Sequence, residues 1–298
     1  WQNLHEEYET LANWLPLVPA SRVFEVIAAG LYFLFTSGPA AAWIALCERA
    51  ETMDRTDDEE SIRLRALGYA LCQFPGADSD DIQRGKKICE RKLQFDEHRG
   101  LTEEASHAAF MLGDVLSSCG ELDEALRLWQ AKAIPGFDSA GCDIEKAWAQ
   151  GRIADVLQNR GDLDAALRIR LQEELPVYEL HGDVHNTAIT QGKIANVART
   201  RGEMDEALRI HREIQLPVYE QLGDVHGKAV TQSMIADVLR VQGDHDEAIR
   251  IWREDVIPVY ERIGDARSKA VTQGKIADEL HGRGELEEAL RIRREKEL

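Results

Sequence analysis

Five polar residues recur every 41 positions, and their types are those that could do chemistry in this sequence. They are Asp114, Asp155, Asn196, Asp237 and Asp278, each six residues before a glycine. Carboxylates at regular spacing could ligate a cation or act as a general acid and base. Packed helices lie about 8–10 Å apart, however, which is too far for neighbouring carboxylates to share an ion easily. Carboxylates and an amide at helix spacing suit hydrogen bonding to an extended chain better.

The other groups that could bind a metal or attack a substrate are isolated. His181 and His185 are four residues apart, but Gly182 between them is typical of a helix end. Cys142 stands where later copies of the repeat have aspartate, which favours substitution within a repeat over a nucleophile. No Walker-type loop, HExxH or GxSxG occurs in the sequence. We therefore expect no catalytic residue, no metal site and no cofactor, and a protein that is not an enzyme.

The elements that must position these side chains are helices of an internal repeat. The repeat glycines, each followed five residues later by alanine, are Gly120, Gly161, Gly202, Gly243 and Gly284. Apolar residues between Asp224 and Val241 follow a helical period, and a second helix begins near Asp246. Aspartates at 183, 224 and 265 are good N-caps, and the repeat glycine is a good helix end. Each unit is therefore predicted to be a two-helix hairpin.

Prolines and charges add two further expectations for the second helix of each unit. The prolines are Pro135, Pro176, Pro217 and Pro258. Because proline costs about 3 kcal/mol or more inside a straight helix, we expect a kink, or a helix that ends and restarts with proline in its first turn. An arginine recurs in each unit with an acidic residue four positions before it, as in Asp205–Arg209 and Asp246–Arg250. This spacing predicts ion pairs along a solvated helix face.

The first 104 residues indicate further helices without a clean repeat. The candidate helices are Gln2–Leu15, Ser21–Thr36, Pro39–Met53, Glu59–Phe74 and Ser79–His98. Aromatic residues are concentrated near the start, and the candidate interface residues are Trp14, Phe24, Tyr32, Phe33 and Phe35. They predict either a packed capping core or an interface with an upstream domain. We therefore divide the chain into degenerate hairpins (1–104) and a repeat array (105–298), and expect it to be a piece of a larger protein.

The repeat resembles the tetratricopeptide repeat family over residues 105–298. The resemblance rests on small and apolar residues at fixed distances from the turn glycine, such as Ile153, Ala154, Leu157 and Ala166 around Gly161. The family's early aromatic is replaced by Gln150, Gln191, Gln232 and Gln273, and the 41-residue period is similar to the long repeats of kinesin light chains and bacterial regulators. The resemblance implies an all-α, right-handed superhelical solenoid of stacked antiparallel helix hairpins.

In that family the first helix of each unit lines a concave groove. The five polar residues that recur every 41 positions would then lie on the binding face. Together with neighbouring positions, the groove residues implied are Trp148, Asp155, Gln158, Asn196, Arg199, Asp237, Arg240, Asp278 and His281. Small residues at 151, 192, 233 and 274 would let a ligand backbone approach closely. The alternative is that these small residues permit tight helix contact and that the aspartates cap helices or are solvated.

Charge and cysteine usage narrow the function classes. A net charge of −18 argues against binding duplex nucleic acid or an anionic membrane surface, and predicts a basic or mixed-charge protein or peptide partner. Five widely spaced cysteines indicate buried free thiols and a cytoplasmic protein. Two functions fit: a protein-binding scaffold, or the sensor arm of a bacterial signal-transducing NTPase or repeat-fused protease, with an upstream effector domain in the same polypeptide.

Overall fold

The computed structural model of the chain describes residues 13–34, 40–72 and 79–295, and throughout these ranges the regular elements are helices. The all-α fold class is confirmed. The chain forms two compact units, Trp1–Arg160 and Gly161–Leu298. The predicted change of repeat type near residue 104 stays a prediction.

The first unit begins with two short 3₁₀ turns, Leu15–Leu17 and Ala20–Arg22, and continues as α-helices. The α-helices are α1 (Val23–Leu34), α2 (Ala40–Glu51), α3 (Asp57–Cys72), α4 (Ser79–Arg99), α5 (Thr102–Ser118), α6 (Leu122–Leu128), α7 (Ile134–Ala140) and α8 (Asp143–Asn159). Leu15, Val23, Ile27 and Trp43 are among the buried residues of the core at its start. The predicted helices agree with α1–α4 to within two residues at the described ends, whereas Gln2–Leu15 lies largely outside the described residues.

The second unit consists of helical hairpins, and a π-helical turn interrupts the second helices that contain Pro176, Pro217 and Pro258. Its α-helices are α9 (Leu163–Ile169), α10 (Leu175–Leu180), α11 (Val184–Arg201), α12 (Met204–Arg209), α13 (Leu216–Leu222), α14 (Val225–Gln242), α15 (His245–Arg250), α16 (Ile257–Ile263), α17 (Ala266–Gly282) and α18 (Leu286–Glu295). Within a hairpin α14 packs against α15, and between hairpins α13 packs against α14. Stacking of this kind buries one continuous apolar core.

The ends of the first helices follow the sequence signals closely. The carboxylates of Asp183, Asp224 and Asp265 accept hydrogen bonds from the backbone N–H groups three residues later, at 2.9–3.0 Å. At the other end, Gly202 and Gly243 take φ values of +85° and +91°, a conformation that glycine adopts without the clash of a Cβ atom. The predicted N-caps and glycine helix ends are both confirmed.

The four prolines are accommodated by a local widening of the second helix. π-Helical turns span Trp129–Ala133, Arg170–Glu174, Ile210–Gln215 and Ile251–Val256, and the prolines lie in the first turn of the α-helical segments that follow. Proline has no N–H group, and its ring crowds the carbonyl of the preceding turn; a wider turn moves that carbonyl away. The restart with proline in the first turn was predicted, whereas the π-helical turn was not.

Equivalent buried positions in the second helices are filled in two chemically different ways. Trp129 and Trp252 are fully buried, and the residues four positions after them, Ala133 and Val256, are buried as well. In the intervening hairpins the same positions are polar: the Arg170 Nη1 atom donates to Glu174 Oε2 at 3.0 Å, and His211 lies against Gln215. Arg170 and His211 are also fully buried. Each cross-section of the core therefore contains either an apolar pair or a mutually bonded polar pair.

Candidate functional site

The predicted groove residues occupy equivalent positions on successive first helices. In the second unit Asn196 and Arg199 lie on α11, Asp237 and Arg240 on α14, and Asp278 and His281 on α17; in the first unit Trp148, Asp155 and Gln158 lie on α8. We call the face of α11, α14 and α17 that carries these six residues of the second unit the polar row. Their role in binding stays a prediction, and their surroundings define what they could do.

Two of the four carboxylates of the series, Asp114 and Asp237, are engaged by a cation from the next hairpin. In the first unit Arg152 Nε donates to Asp114 Oδ1 at 3.0 Å, and in the second unit Lys275 Nζ donates to Asp237 Oδ2 at 2.6 Å. Each pair is 38 residues apart in sequence. Burial raises the pKa of Asp114, and the charge of Arg152 opposes that rise. These carboxylates therefore tie neighbouring hairpins together rather than standing free.

The series changes chemistry once, on α11. At the same spacing of 38 residues the partners are Asn196 and Met234, so neither carries a charge. The backbone carbonyl of Asn196 accepts a hydrogen bond from Thr200 Oγ1 at 2.8 Å. The half-buried side-chain amide of Asn196 makes no hydrogen bond to any of residues 13–34, 40–72 or 79–295. This amide offers two donors and an acceptor, which match the C=O and N–H groups of an extended peptide.

A basic residue lies three positions after each member of the series on α11, α14 and α17. Arg199 is half-buried, Arg240 and His281 are exposed, and within the described part of the chain none of the three has an acidic partner. Each lies in the last turn of its helix, where a positive charge is favourable next to the helix dipole. Burial lowers the pKa of His211, and the nearby charge of Arg199 lowers it further, although the hydrogen bond with Gln215 acts in the opposite direction. The second unit therefore presents two arginines, Arg199 and Arg240, that have no acidic partner among the described residues.

The remaining predicted groove residues have varied surroundings. Asp278 is exposed and accepts a hydrogen bond from Arg293 Nη2 at 2.7 Å. In the first unit Asp155 is half-buried and has an interaction partner, Gln158 is half-buried, and the Trp148 side chain is 41% exposed. Of the nine residues, Asn196, Arg199 and Arg240 therefore combine availability with hydrogen-bonding chemistry most clearly.

Gly192, the small residue on α11, allows two helices of the same hairpin to pack closely. A Cβ atom added to Gly192 would lie 2.2 Å from Gln215 Nε2, a contact that cannot be tolerated without movement. Gln215 Nε2 in turn donates to the carbonyl of Ala188 at 2.8 Å. The space beside Gly192 is thus filled by the second helix of its own hairpin. The prediction that a ligand backbone approaches Gly192 is wrong, and the alternative of tight helix contact holds there.

A second row of contacts between hairpins was missed in the sequence. Arg160 donates to Asp123 and Arg283 to Asp246, both at 2.7 Å, and Arg201 contacts Asp164 in the same way. These aspartates were expected to pair with the arginine four residues later on their own helix. Those arginines instead contact glutamates of their own helices, as in Arg209–Glu206 and Arg250–Glu247. The recurrence of arginine directly before the repeat glycine was the signal that could have revealed this row.

The aromatic residues near the start are only partly described. The Trp14 side chain is 49% exposed, and Phe24 packs half-buried against the core of the first unit. Tyr32 and Phe33 lie on α1, but their side chains fall outside the described part, as does Phe35 altogether. The predicted interface stays a prediction.

Two segments of the chain match the family model described as "Tetratricopeptide repeat", at residues 106–131 and 229–254. Both segments span the turn from a first helix into a second helix, which is the contact that defines the hairpin. The hairpins at these two segments match the tetratricopeptide repeat. No curated protein is significantly similar to the sequence as a whole.

Solved structures with a similar helical fold cover nearly all of the chain. The apo form of RapI is 12% identical, with a TM-score of 0.68 over 92% of this chain and 96% of that one. NprR in complex with its cognate peptide NprX is 13% identical, with a TM-score of 0.59 over 96% and 80%. A STAND protein (Signal Transduction ATPase with Numerous Domains) with a tetratricopeptide repeat sensor, from Pyrococcus horikoshii, is 14% identical, with a TM-score of 0.64 over 93% and 40%. At these identities the likeness establishes the fold.

Two further features are absent from the described residues. Within those ranges no helix is both long enough and apolar enough to span a bilayer. Across the same residues no three His, Cys, Asp or Glu side chains are grouped so that they could hold a metal ion. His185, one of the two histidines considered in the sequence, instead lies edge-on to Tyr219, with ring centroids 6.2 Å apart.

Proposed function

We propose that this chain is a peptide-binding regulatory module, without catalytic activity of its own, that holds an extended segment along α11, α14 and α17. The observation that carries the proposal is the side-chain amide of Asn196, which has no hydrogen-bond partner among the described residues. At that point the ion pairs between successive hairpins are replaced by an amide and a thioether, Asn196 and Met234. A change that replaces an ion pair between hairpins and leaves a hydrogen-bonding group available is expected where a ligand is bound rather than where hairpins are only stacked.

The charges around Asn196 favour a ligand that carries a carboxylate. Asp237 is neutralised by Lys275, whereas Arg199 and Arg240 have no acidic partner among the described residues. Arginine can bind a carboxylate through two parallel hydrogen bonds, which would fix both the position and the direction of a peptide. A basic ligand, expected from the net charge of −18 alone, finds fewer free acceptors here. We therefore assign an acidic side chain or a peptide C-terminus to the Arg199–Arg240 end.

The structural neighbours support a regulatory setting for such a module. NprR is seen with its cognate peptide, and a Rap protein is seen with Competence and Sporulation Factor. The STAND protein carries its tetratricopeptide repeats as a sensor, and this chain spans 40% of that protein's length. We extend the proposal to a cytoplasmic sensor arm that controls an effector domain in the same polypeptide. A free-standing scaffold is the second candidate, favoured by the likeness to kinesin light chain-type repeats.

Binding of labelled peptide pools tests the proposal. Fluorescein-labelled heptapeptide pools, one acidic and one basic, are titrated with the chain and followed by fluorescence anisotropy. The test variant carries Asn196→Ala, Arg199→Glu and Arg240→Glu. The matched control carries Arg209→Glu and Arg250→Glu, the same change of charge per arginine on second helices, where both arginines already pair with glutamate.

We expect the acidic pool to bind the native chain and the control at least tenfold more tightly than the test variant. Removing one charged hydrogen bond of about 1.5–3 kcal/mol already corresponds to such a factor. Equal binding by the native chain and the test variant would refute the site, and preferential binding of the basic pool would refute the assigned ligand charge.

A further inference from the structure

Outside the polar row, one close approach of two helices, in the first unit, is built around two cysteines. A Cβ atom added to Gly68 of α3 would lie 2.9 Å from Cys89 Sγ on α4. A Cβ atom added to Gly85 of α4 would lie 2.1 Å from Cys72 Sγ on α3. Each thiol therefore occupies the space left by the missing side chain of a glycine on the facing helix. Of the helix pairs in the described part of this unit, α3 and α4 have the most extensive contact.

The two thiols are chemically unequal. They are joined by a hydrogen bond, which lowers the pKa of Cys72 and raises the pKa of Cys89, and burial raises the pKa of Cys89 further. Cys72 is half-buried and reachable from solvent, whereas Cys89 is 1% exposed. Cys47 of the same unit is also buried, and desolvation raises the pKa of its thiol to about 12. Cys72 thus resembles a reactive thiol with a second thiol held beside it, and Cys47 resembles an inert core residue.

We propose that Cys72 and Cys89 are a site of reversible oxidation, at which a peroxide converts the two thiols into a disulfide between α3 and α4. The Cys72 thiolate attacks one oxygen of hydrogen peroxide, the O–O bond breaks, and sulfenic acid and hydroxide form. The Cys89 sulfur then attacks the Cys72 sulfur and water leaves. In total two thiols and one peroxide give one disulfide and two waters, so the sulfurs are oxidised and the peroxide oxygens are reduced.

The packing places both thiols in the same contact between α3 and α4. A disulfide requires Cα atoms about 4.4–6.8 Å apart, closer than most packed helices bring their side chains. Here the glycines opposite each cysteine let the helices approach until the thiols share a hydrogen bond. The bond would cross-link the helices on either side of residues 73–78 and fasten α3 to α4, which also carries the buried Lys92–Asp96 ion pair.

Peptide mapping after oxidation tests the site in the full chain. The reduced protein is treated with stoichiometric hydrogen peroxide, alkylated, and digested with trypsin without reductant. We expect a disulfide-linked pair of the peptides spanning 66–84 and 88–91, a fall in titratable thiols under denaturing conditions from five to three, and full reversal by dithiothreitol. Persistence of Cys72 and Cys89 as free thiols while the exposed Cys119 is oxidised would overturn the proposal.

Two variants separate the steps. In Cys89→Ser the sulfenic acid on Cys72 has no partner, so dimedone should label Cys72, at a rate about threefold or more above that of Cys119 in the same molecule. In Cys72→Ser the four remaining thiols should stay titratable under the same treatment. Cys119→Ser is the matched control and should form the linked peptides as the native chain does. Dimedone labelling of Cys119 alone, or a linked pair other than 72–89, would contradict the assignment, and the mapping of the native chain decides the matter even if a variant fails to fold.

Discussion

The buried ion pair of the second unit offers a perturbation whose size can be worked out from its contacts. Arg170 is fully buried and Glu174 is 4% exposed; Arg170 Nη1 donates to Glu174 Oε2, and Thr190 Oγ1 donates to Glu174 Oε1, both at 3.0 Å. Replacing Arg170 by leucine leaves the carboxylate in the core with Thr190 as its donor. Breaking one side of a buried pair in this way costs about 3–5 kcal/mol, because the remaining charge is uncompensated.

The equivalent positions of neighbouring hairpins show how the loss can be reversed. Trp252 and Val256 fill the same place with apolar groups, so the fold accepts a core without charge there. We therefore expect the double variant Arg170→Leu, Glu174→Leu to regain most of the free energy of unfolding lost in Arg170→Leu, to within about 1 kcal/mol of the native chain. Urea unfolding followed by circular dichroism at 222 nm measures all three proteins. A double variant as unstable as the single one, or a single variant within about 0.5 kcal/mol of the native chain, would refute the reasoning.

Three further outcomes follow from buried or paired residues. Burial lowers the pKa of His211 below its ordinary value of 6.5, so below that pH the unfolded chain binds more protons than the folded chain. The free energy of unfolding should therefore fall as the pH drops below 6.5. Urea titrations of His211→Gln should show a smaller fall over the same pH range. Ala207 is fully buried at the hairpin crossing, so Ala207→Trp should lower the free energy of unfolding by about 1–3 kcal/mol, whereas Trp at the exposed Ala131 should have little effect in the same urea assay. The double variant Asp237→Asn, Lys275→Met copies the Asn196–Met234 pair onto a partly exposed site, so its melting curve should match the native one closely; a large loss would mean that the ion pair is essential for stacking.

The sequence contained the signals for the hairpins because those signals are local. The Asp224 N-cap and the Gly243 helix end act within one turn, and the spacing of apolar residues between them defines one buried face. The agreement between predicted and observed ends of α14 to within one residue follows from that locality. The π-helical turns could not be predicted in the same way. A proline indicates where a regular α-helix is interrupted, but not whether the backbone responds with a kink, a break or a π-helical turn.

The sequence indicated which positions of successive hairpins are equivalent, but not which of their side chains are paired. The repeat placed Asn196 and Asp237 at equivalent positions, yet Lys275 pairs with Asp237, whereas the side-chain amide of Asn196 has no hydrogen-bond partner among the described residues. The difference depends on which residue of the next hairpin lies opposite, a register that arises only when hairpins stack. Gly192 was ambiguous for the same reason, because the atoms of Gln215 that fill its space belong to a residue 23 positions away.

The side-chain amide of Asn196 can be observed directly in a protein labelled with ¹⁵N-asparagine. The chain has five asparagines, so a transverse-relaxation-optimised spectrum contains few amide pairs, and Asn196→Ala assigns the one of interest. Asn186 is an internal control, because its Nδ2 atom already donates to Asp183 Oδ2 at 2.7 Å. On addition of the acidic heptapeptide pool we predict that the Asn196 signal shifts and the Asn186 signal does not. Binding of the pool, established by anisotropy, with an unchanged Asn196 signal would contradict the account.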